Sequence, residues 1–512
     1  MHRIPSIVLV IALTILTIHS SPAAEFTVTT VTELQNALTT AASNGEDDII
    51  TVATGTYEVT TPLHYSSNND GGLEIVAQNF RALPLFDGQG MNQNIPILVI
   101  YDNSSDNGNS ARGITVKGIV FRHGSHGGLT VNTNAVSISI SSCLFMDNNS
   151  GTVAGAHLIT NTGAITANNN TFFANQSNYY GAGLNVSTTE GTVRISANHF
   201  SDNIARVGGG LYISGGDSDI FLTRNTFSNN TAEGTNGQAI HGGGVGLSAP
   251  NGSVHVNGNL FIGNQAGDSS NFGFGGGMDL VAQEVEISNN YLADNRATVG
   301  GGIDGTVQPA SSITQWRITN NTLSHNHATG SFGGGIMIES YNDLNEITIT
   351  NNIIRDNSSG GATGDDLRII TDMDGNGTGS TVNLNYNLLG PNTNFASGHS
   401  DDLYITNTDH YHHHDNGTDD PRLRDDGHLP SGSPAINRGI CGMWIIDPLH
   451  GNRIYYRIAP LTDRDGDPRP GNGATGGCDI GADEYHFPWP MFLPAIVRPH
   501  LNPFSIPTHP GF

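Results

Sequence analysis

The sequence predicts an all-β protein, a parallel β-helix closed at one end by a short capping helix. Three observations predict it. Glycine accounts for 66 of 512 residues and only 13% of residues are charged, a composition suited to strands and turns and poor for long helices. A unit built on Asn-x-φ-x-x-Asn recurs down most of the chain at spacings of 24 to 35 residues. Within each unit, short alternating runs are separated by Asn- and Gly-rich bends.

From the N-terminus, Met1-His2-Arg3 is followed by the apolar run Ile4 to Ile18 and the small residues Ser20 to Ala24. A positive start, an apolar stretch and a small-residue cleavage site predict a secretory signal peptide over 1–24, so the mature chain is expected outside the cell or on its surface. No other stretch is long and apolar enough to span a bilayer. Residues 31 to 44, "VTELQNALTTAASN", put Leu34, Ala37, Leu38 and Ala41 on one helical face. Thr30 and Glu33 form a potential capping box and Gly45 a stop, which predicts the helix that covers the first coil. "DDIITVATGTYEV" (47–59) reads as the first strand pair, and 25–110 as the cap and first coils.

The repeats occupy 111–392. Phe172, Phe200, Phe227, Phe261, Leu292, Leu323, Ile354 and Leu389 align, with weaker copies at Phe121 and Phe145. Strands such as "VRISAN" and "VEISNN" precede this position, and "GGGLYIS" or "GGGMDLV" follow it. No such unit buries its apolar face alone, whereas stacked coils do, with parallel pairing from coil to coil. A propeller blade needs four antiparallel strands in roughly 40 to 45 residues, more than these units hold. Asn198, Asn225, Asn259, Asn290, Asn321 and Asn352 should form an amide ladder at a bend whose Asn takes the left-handed conformation. Unit length varies mainly between Asn-x-Ala and the glycines, so loops should project from one edge.

"LQNALTTAASNGEDDIITVATGTY" resembles the beginning of secreted pectate-lyase-like proteins, and the Phe-x-x-Asn and Gly-Gly-Gly-φ repeats resemble those of polymorphic outer-membrane-type surface proteins. "NNIIRDN", "GDDL", "NYNLLGPN", "SGSPAINRG", "DRDGDPRP" and "CDIGADEY", in that order from 351 to 485, resemble the bacterial choice-of-anchor Q domain, whose C-terminal segment is placed at 393–486. These resemblances imply a right-handed parallel β-helix and export, and bring no catalytic motif. The Pro-rich tail 487–512 contains "FLPAIVR", similar to a closing segment of such proteins, but no LPxTG-type motif. Of the three cysteines, Cys441 and Cys478 lie close enough to pair, and Cys143 reads as a buried thiol.

A formal charge of −26, with Lys117 the only lysine, argues against a nucleic-acid partner and disfavours an unbridged polyanion. The residues between inward positions of the strand after the glycines form a column: Asn185, Tyr212, Gly246, Asp279, Asp304, Met337. Asp279 and Asp304 should therefore be neighbours about 5 Å apart, suited to a retaining-glycosidase pair or a Ca²⁺ clamp, with Tyr212 as a sugar platform. The alternative is a solvated acidic stripe. Asp372, Asp374 and Asn376 before Gly377 match the front of a calcium loop, although Asn383 stands where its closing Glu belongs. Asp463, Asp465 and Asp467 repeat that oxygen-rich spacing, so structural Ca²⁺ is the one cofactor implied, against a plain Asx turn. His410, His412, His413 and His414 in "DHYHHHD" read as an exposed loop. Pectate-lyase chemistry would need a carboxylate cluster beside an Arg, yet Arg194 and Arg317 lie on separate coils. His126 and His241 precede Asp365 and Asp366, the reverse of polygalacturonase order, and no Arg-x-Lys follows.

The expected function is a monomeric, secreted, surface-associated protein that binds or adheres to carbohydrate or envelope material. A polysaccharide lyase or glycoside hydrolase acting around Tyr212, Asp279 and Asp304 is the alternative, and a purely structural surface component a third. A walled groove lined by aromatics and an Arg would favour the enzyme; a flat column would exclude it.

Overall fold

The computed structural model describes residues 23–485 apart from 69–70, 92–94, 105–112, 153, 235–237, 269, 309–313, 331, 342–344, 362, 374, 376–378, 407, 447–452 and 471–476. The helix spans Val31–Asn44 with its capping box formed and Gly45 at φ 69°, and it buries Leu34, Ala37, Leu38 and Ala41. Ala24–Val28 forms a strand paired in parallel with Asp48–Val52, so a paired strand begins at Ala24; residues 1–22 lie outside the described residues. Among the described residues no helix is long and apolar enough to cross a membrane.

Beyond the cap the chain coils into a parallel β-helix. Each coil gives one strand to an 11-stranded sheet and, over the central coils, a two-residue strand to an 8-stranded sheet. The rest of the coil forms two strips that merge into a 24-stranded sheet, because Val245–Asn257 and Met278–Ser288 run unbroken from one strip to the next. The aligned phenylalanines stack through the interior: Phe145 on Phe172 at 5.0 Å, Phe172 on Phe200 at 4.6 Å and Phe227 on Phe261 at 4.9 Å. These separations match the interstrand repeat, so one apolar register fills the core of every coil.

Two amide ladders run along the axis where one was expected. The first passes from Asn170 through Asn198, Asn225, Asn259, Asn290, Asn321, Asn352 and Asn387 to Asn416. The second runs from Asn148 through Asn175, Asn203, Asn230, Asn264, Asn295 and Asn326 to Asn357, and ends on Asp366. The left-handed residue is not the ladder Asn but the one before it: Ala197 at φ 53°, Arg224 at φ 55°, Asp202 at φ 57°. That residue bends the chain, which turns the following Asn inward to cap the backbone amide of the previous coil. The ladder bonds offset the cost of left-handed non-Gly residues, about 1–2 kcal/mol each.

The solenoid continues through Leu403–Ile405 and Tyr411–His414, which pairs with Val382–Asn385. His412 to His414 therefore belong to a strand and not to the expected loop, although all three are exposed as expected. The chain then returns along the outside of the first bend. Asn289, Asn320 and Asn351, each in the left-handed position, donate their side-chain amides to the carbonyls of Thr462 (2.8 Å), Asp479 (2.9 Å) and Ile440 (2.8 Å). Cys441 and Cys478 are disulfide-bonded, with Cα atoms 5.1 Å apart, and Cys143 is a buried free thiol. Arg469 and Glu484 form a fully buried ion pair at 3.0 Å beneath this returning segment.

Candidate functional site

The strand after the glycines has the register read from the sequence. Asn185 pairs with Tyr212, Tyr212 with Gly246, Gly246 with Asp279, Asp279 with Asp304 and Asp304 with Met337. The column faces away from the core but not into solvent. Asp279 and Asp304 are each only 6% exposed and Met337 is fully buried, so this is not a solvated acidic stripe. What covers them is a second row, the residues just before each glycine turn. Tyr180, Val207, His241, Phe274 and Val299 bridge in parallel from coil to coil and lean over the column.

His241 in that row donates from Nδ1 to Asp279 Oδ2 at 2.8 Å; a carboxylate can only accept, which fixes this tautomer. Burial raises Asp279 above the usual carboxylate range, opposed by the bond from His241. Asp304 lies within hydrogen-bond reach of Asp279. Burial first, then the charges of Asp279 and Glu339, push it well above that range. Two buried carboxyls in contact cannot both ionise, so Asp304 holds the shared proton and Asp279 the negative charge. Asp279 and Asp304 pair directly on neighbouring coils, as the alternation of the strand predicts.

Above Gly246 the column has no side chain, and a cavity of about 320 Å³ opens there, lined by Tyr180, Arg206, Tyr212, His241 and Asp279. Tyr180 and Tyr212 stack at 5.0 Å, and His241 stacks on Phe274 at 5.1 Å. Burial raises the Tyr212 phenol, so it remains protonated at neutral pH. Arg206 lies over Tyr179 at 4.9 Å and donates from Nη1 to Gln238 at 2.6 Å, and its buried Nε has no hydrogen-bond partner among the described residues. It also lines a cavity of about 730 Å³ on the far side of the covering row.

Tyr212 and Asp279 thus meet in one cleft, with Asp304 behind Asp279. His241, Tyr180 and Arg206 were not linked to them from sequence, although aligning the residue before each Gly-Gly-Gly reveals the row that carries Tyr180 and His241. Of the oxygen-rich turns, Asp372 is half-buried, and Asp374 and Asn376 lie outside the described residues. Asp463 accepts backbone amides at both oxygens, from Asp465 (2.9 Å), Asp467 (2.8 Å) and Glu484 (3.0 Å). Asp465 instead meets His428 at 3.0 Å, close to Asp483. Arg464, 2.9 Å from His428 Nδ1, supplies positive charge to that group.

No family model matches the sequence, and no curated protein does. Two solved structures are similar in chain path. An alginate lyase from Paenibacillus sp. str. FPU-7 is 11% identical with a TM-score of 0.30, the match covering 64% of this chain and 93% of that one. Pectate lyase Pel9A is 14% identical with a TM-score of 0.39, over 87% of this chain and 90% of that one. Neither likeness bears on what the cleft does.

Proposed function

We propose that the protein is an exported β-helix that holds a polysaccharide in the cleft above Gly246 and withdraws a proton from it with His241. The observation that carries this reading is the bond from His241 Nδ1 to Asp279 at the cleft wall. With Nδ1 committed, Nε2 presents its lone pair to a ligand, and Asp279 stabilises the imidazolium once the proton arrives. Asp304 positions Asp279 by sharing its proton. The Tyr180–Tyr212 pair offers ring faces to a pyranose, and Arg206 offers positive charge to a uronate carboxylate, which the acidic surface otherwise repels. Loss of the proton at C5 of a uronate sends its electron pair into a C4–C5 double bond. The C4–O glycosidic bond breaks, and the leaving oxygen takes a proton from Tyr212 or water. Elimination needs one base at the sugar, which His241 supplies, whereas hydrolysis needs two carboxyls flanking the scissile bond. Export rests on residues 1–24, and surface attachment on the choice-of-anchor-Q-like motifs of 393–486.

Incubation with alginate and polygalacturonate should yield unsaturated uronates by ultraviolet absorbance. His241→Ala and Asp279→Asn should each lower kcat by about 10²-fold or more while binding survives. Binding without product from any uronate glycan would reject the elimination and leave the adhesive reading. The exposed rings of Tyr179 (46%) and Phe272 (47%) outside the cleft support that second reading.

A further inference from the structure

A second cleft lies on the other strip of the large sheet, beneath the returning C-terminal segment. Its floor is a patch of polar side chains on successive coils. Gln315 pairs with Glu346, and Arg317 with Thr348, which pairs in turn with Asn383. Its roof is the antiparallel hairpin of Gly442–Ile446 and Arg453–Arg457. Between them is a cavity of about 670 Å³, within the size range of ligand sites, roughly 300–1,000 Å³.

The roof is anchored independently of the core. The Cys441–Cys478 disulfide ties its base, and Arg457 is held by the carbonyls of Ala459 (2.9 Å) and Arg469 (2.7 Å). Met443 and Tyr456 sit directly opposite each other on the hairpin, hence on one face. Both line the cavity, and they are 46% and 48% exposed. Large apolar side chains left open on a tethered hairpin are not there for packing, and a ring beside a thioether is a surface on which a sugar face can lie.

The charge of the floor selects among ligands. Glu286 is neighbour to Arg317 and bonded to His255 at 3.3 Å. Glu346 accepts the amides of Gln315 (3.2 Å) and Asn383 (3.0 Å). Glu286 and Glu346 on the floor are matched by Arg317 and by Arg457 of the roof, so the cleft is balanced on a molecule with a formal charge of −26, and attracts neither a polyanion nor a polycation. Thr348 and Asn385 bond to no side chain among the described residues, so a hydroxyl and an amide remain for a ligand. Planar amides, hydroxyls, compensated charges and an apolar lip suit a neutral, polyhydroxylated chain.

We propose that this cleft is a binding site for a neutral polysaccharide, separate from the His241 cleft and independent of the reaction proposed there. It holds the protein on a matrix without chemistry. The test is affinity electrophoresis of the full chain through gels containing galactomannan or mixed-linkage β-glucan, with polygalacturonate as the charged control. At least one neutral glycan should retard the protein. Tyr456→Ala and the floor variant Thr348→Ala/Asn385→Ala should each weaken retardation about tenfold, and Tyr180→Ala/Tyr212→Ala should leave it unchanged. Tyr456 is exposed, so its truncation spares the fold, and the floor variant reads the same site without touching the hairpin. No retardation by either neutral glycan, stronger retardation by polygalacturonate, or wild-type retardation of both cleft variants would each overturn the proposal. Loss of retardation only in the Tyr180/Tyr212 variant would assign the binding to the first cleft instead. Uronate turnover, assayed separately, decides the His241 reading whichever result is obtained here.

Discussion

Replacing Asn259 by alanine should destabilise the solenoid by about 3–5 kcal/mol, far more than a typical surface Asn. Asn259 is 1% exposed. It donates to the Leu222 carbonyl at 2.9 Å and to Asn290 Oδ1 at 3.0 Å. Its Oδ1 accepts both the backbone amide of Asn225 at 2.8 Å and the side-chain amide of Asn225 at 3.0 Å. Alanine removes all four. Asn290 Oδ1 keeps the Asn259 backbone amide, and Asn225 Nδ2 keeps the Ile195 carbonyl. The Asn225 backbone N–H is left buried without a partner, at about 1–3 kcal/mol, and the other three bonds contribute about 0.5–1.5 kcal/mol each. Partial relaxation brings the sum to the stated range. Asn259→Asp should cost at least as much as alanine at neutral pH, because a buried carboxylate would face two acceptors, the Leu222 carbonyl and Asn290 Oδ1. Asn251→Ala, at an exposed position of the strand Val245–Asn257 where only a solvent-facing bond to Asp217 (2.8 Å) is lost, should stay within about 0.5 kcal/mol of wild type. The assay is urea unfolding followed by circular dichroism and by the fluorescence of buried Trp316. A loss below about 1 kcal/mol for Asn259→Ala would refute the view that the ladders hold the bends.

Asp304 binds its proton more tightly folded than unfolded, so wild-type stability should fall as pH rises above the ordinary Asp value of 3.8. Asp304→Asn, which mimics the protonated carboxyl, should melt higher than wild type at pH 7–8 and lose that advantage near pH 3. Parallel melting curves across that range would show that Asp304 is not protonated. Gly246→Leu should fill the first cleft and abolish turnover or binding there. Its Cβ would sit 3.2–3.3 Å from Gly208 N, Tyr212 Cδ2 and Val207 Cγ1, so those neighbours must give by a few tenths of an ångström, and a melting curve run beside the assay shows that the variant is folded. Full activity in this variant would place the ligand elsewhere.

The solenoid was legible because its grammar is local and repeated. Phe200, Ala205 and the glycines at 208 to 210 each answer a requirement of one coil, and every coil poses it again. The capping helix was legible for the same reason, since Thr30, Glu33 and Gly45 act within one or two turns. The second ladder was half-legible: Asn203 was visible in the motif, but its partners depend on which way the preceding left-handed residue turns it. The site was legible only along one strand. Alternation put Tyr212, Asp279 and Asp304 in one column; it said nothing of the row that covers them.

The sequence by itself determined the stacking of coils, the register of the sheets and the cap, because periodic side chains leave parallel pairing as the way to bury them. Only the tertiary structure decided that Asp279 and Asp304 are buried, that His241 reaches Asp279 across 38 residues, and that a cleft opens where Gly246 interrupts the column. Likewise it decided that the C-terminal segment doubles back to roof a second cleft. Those outcomes rest on loops of unequal length and on contacts between distant segments, and neither leaves a period in the sequence.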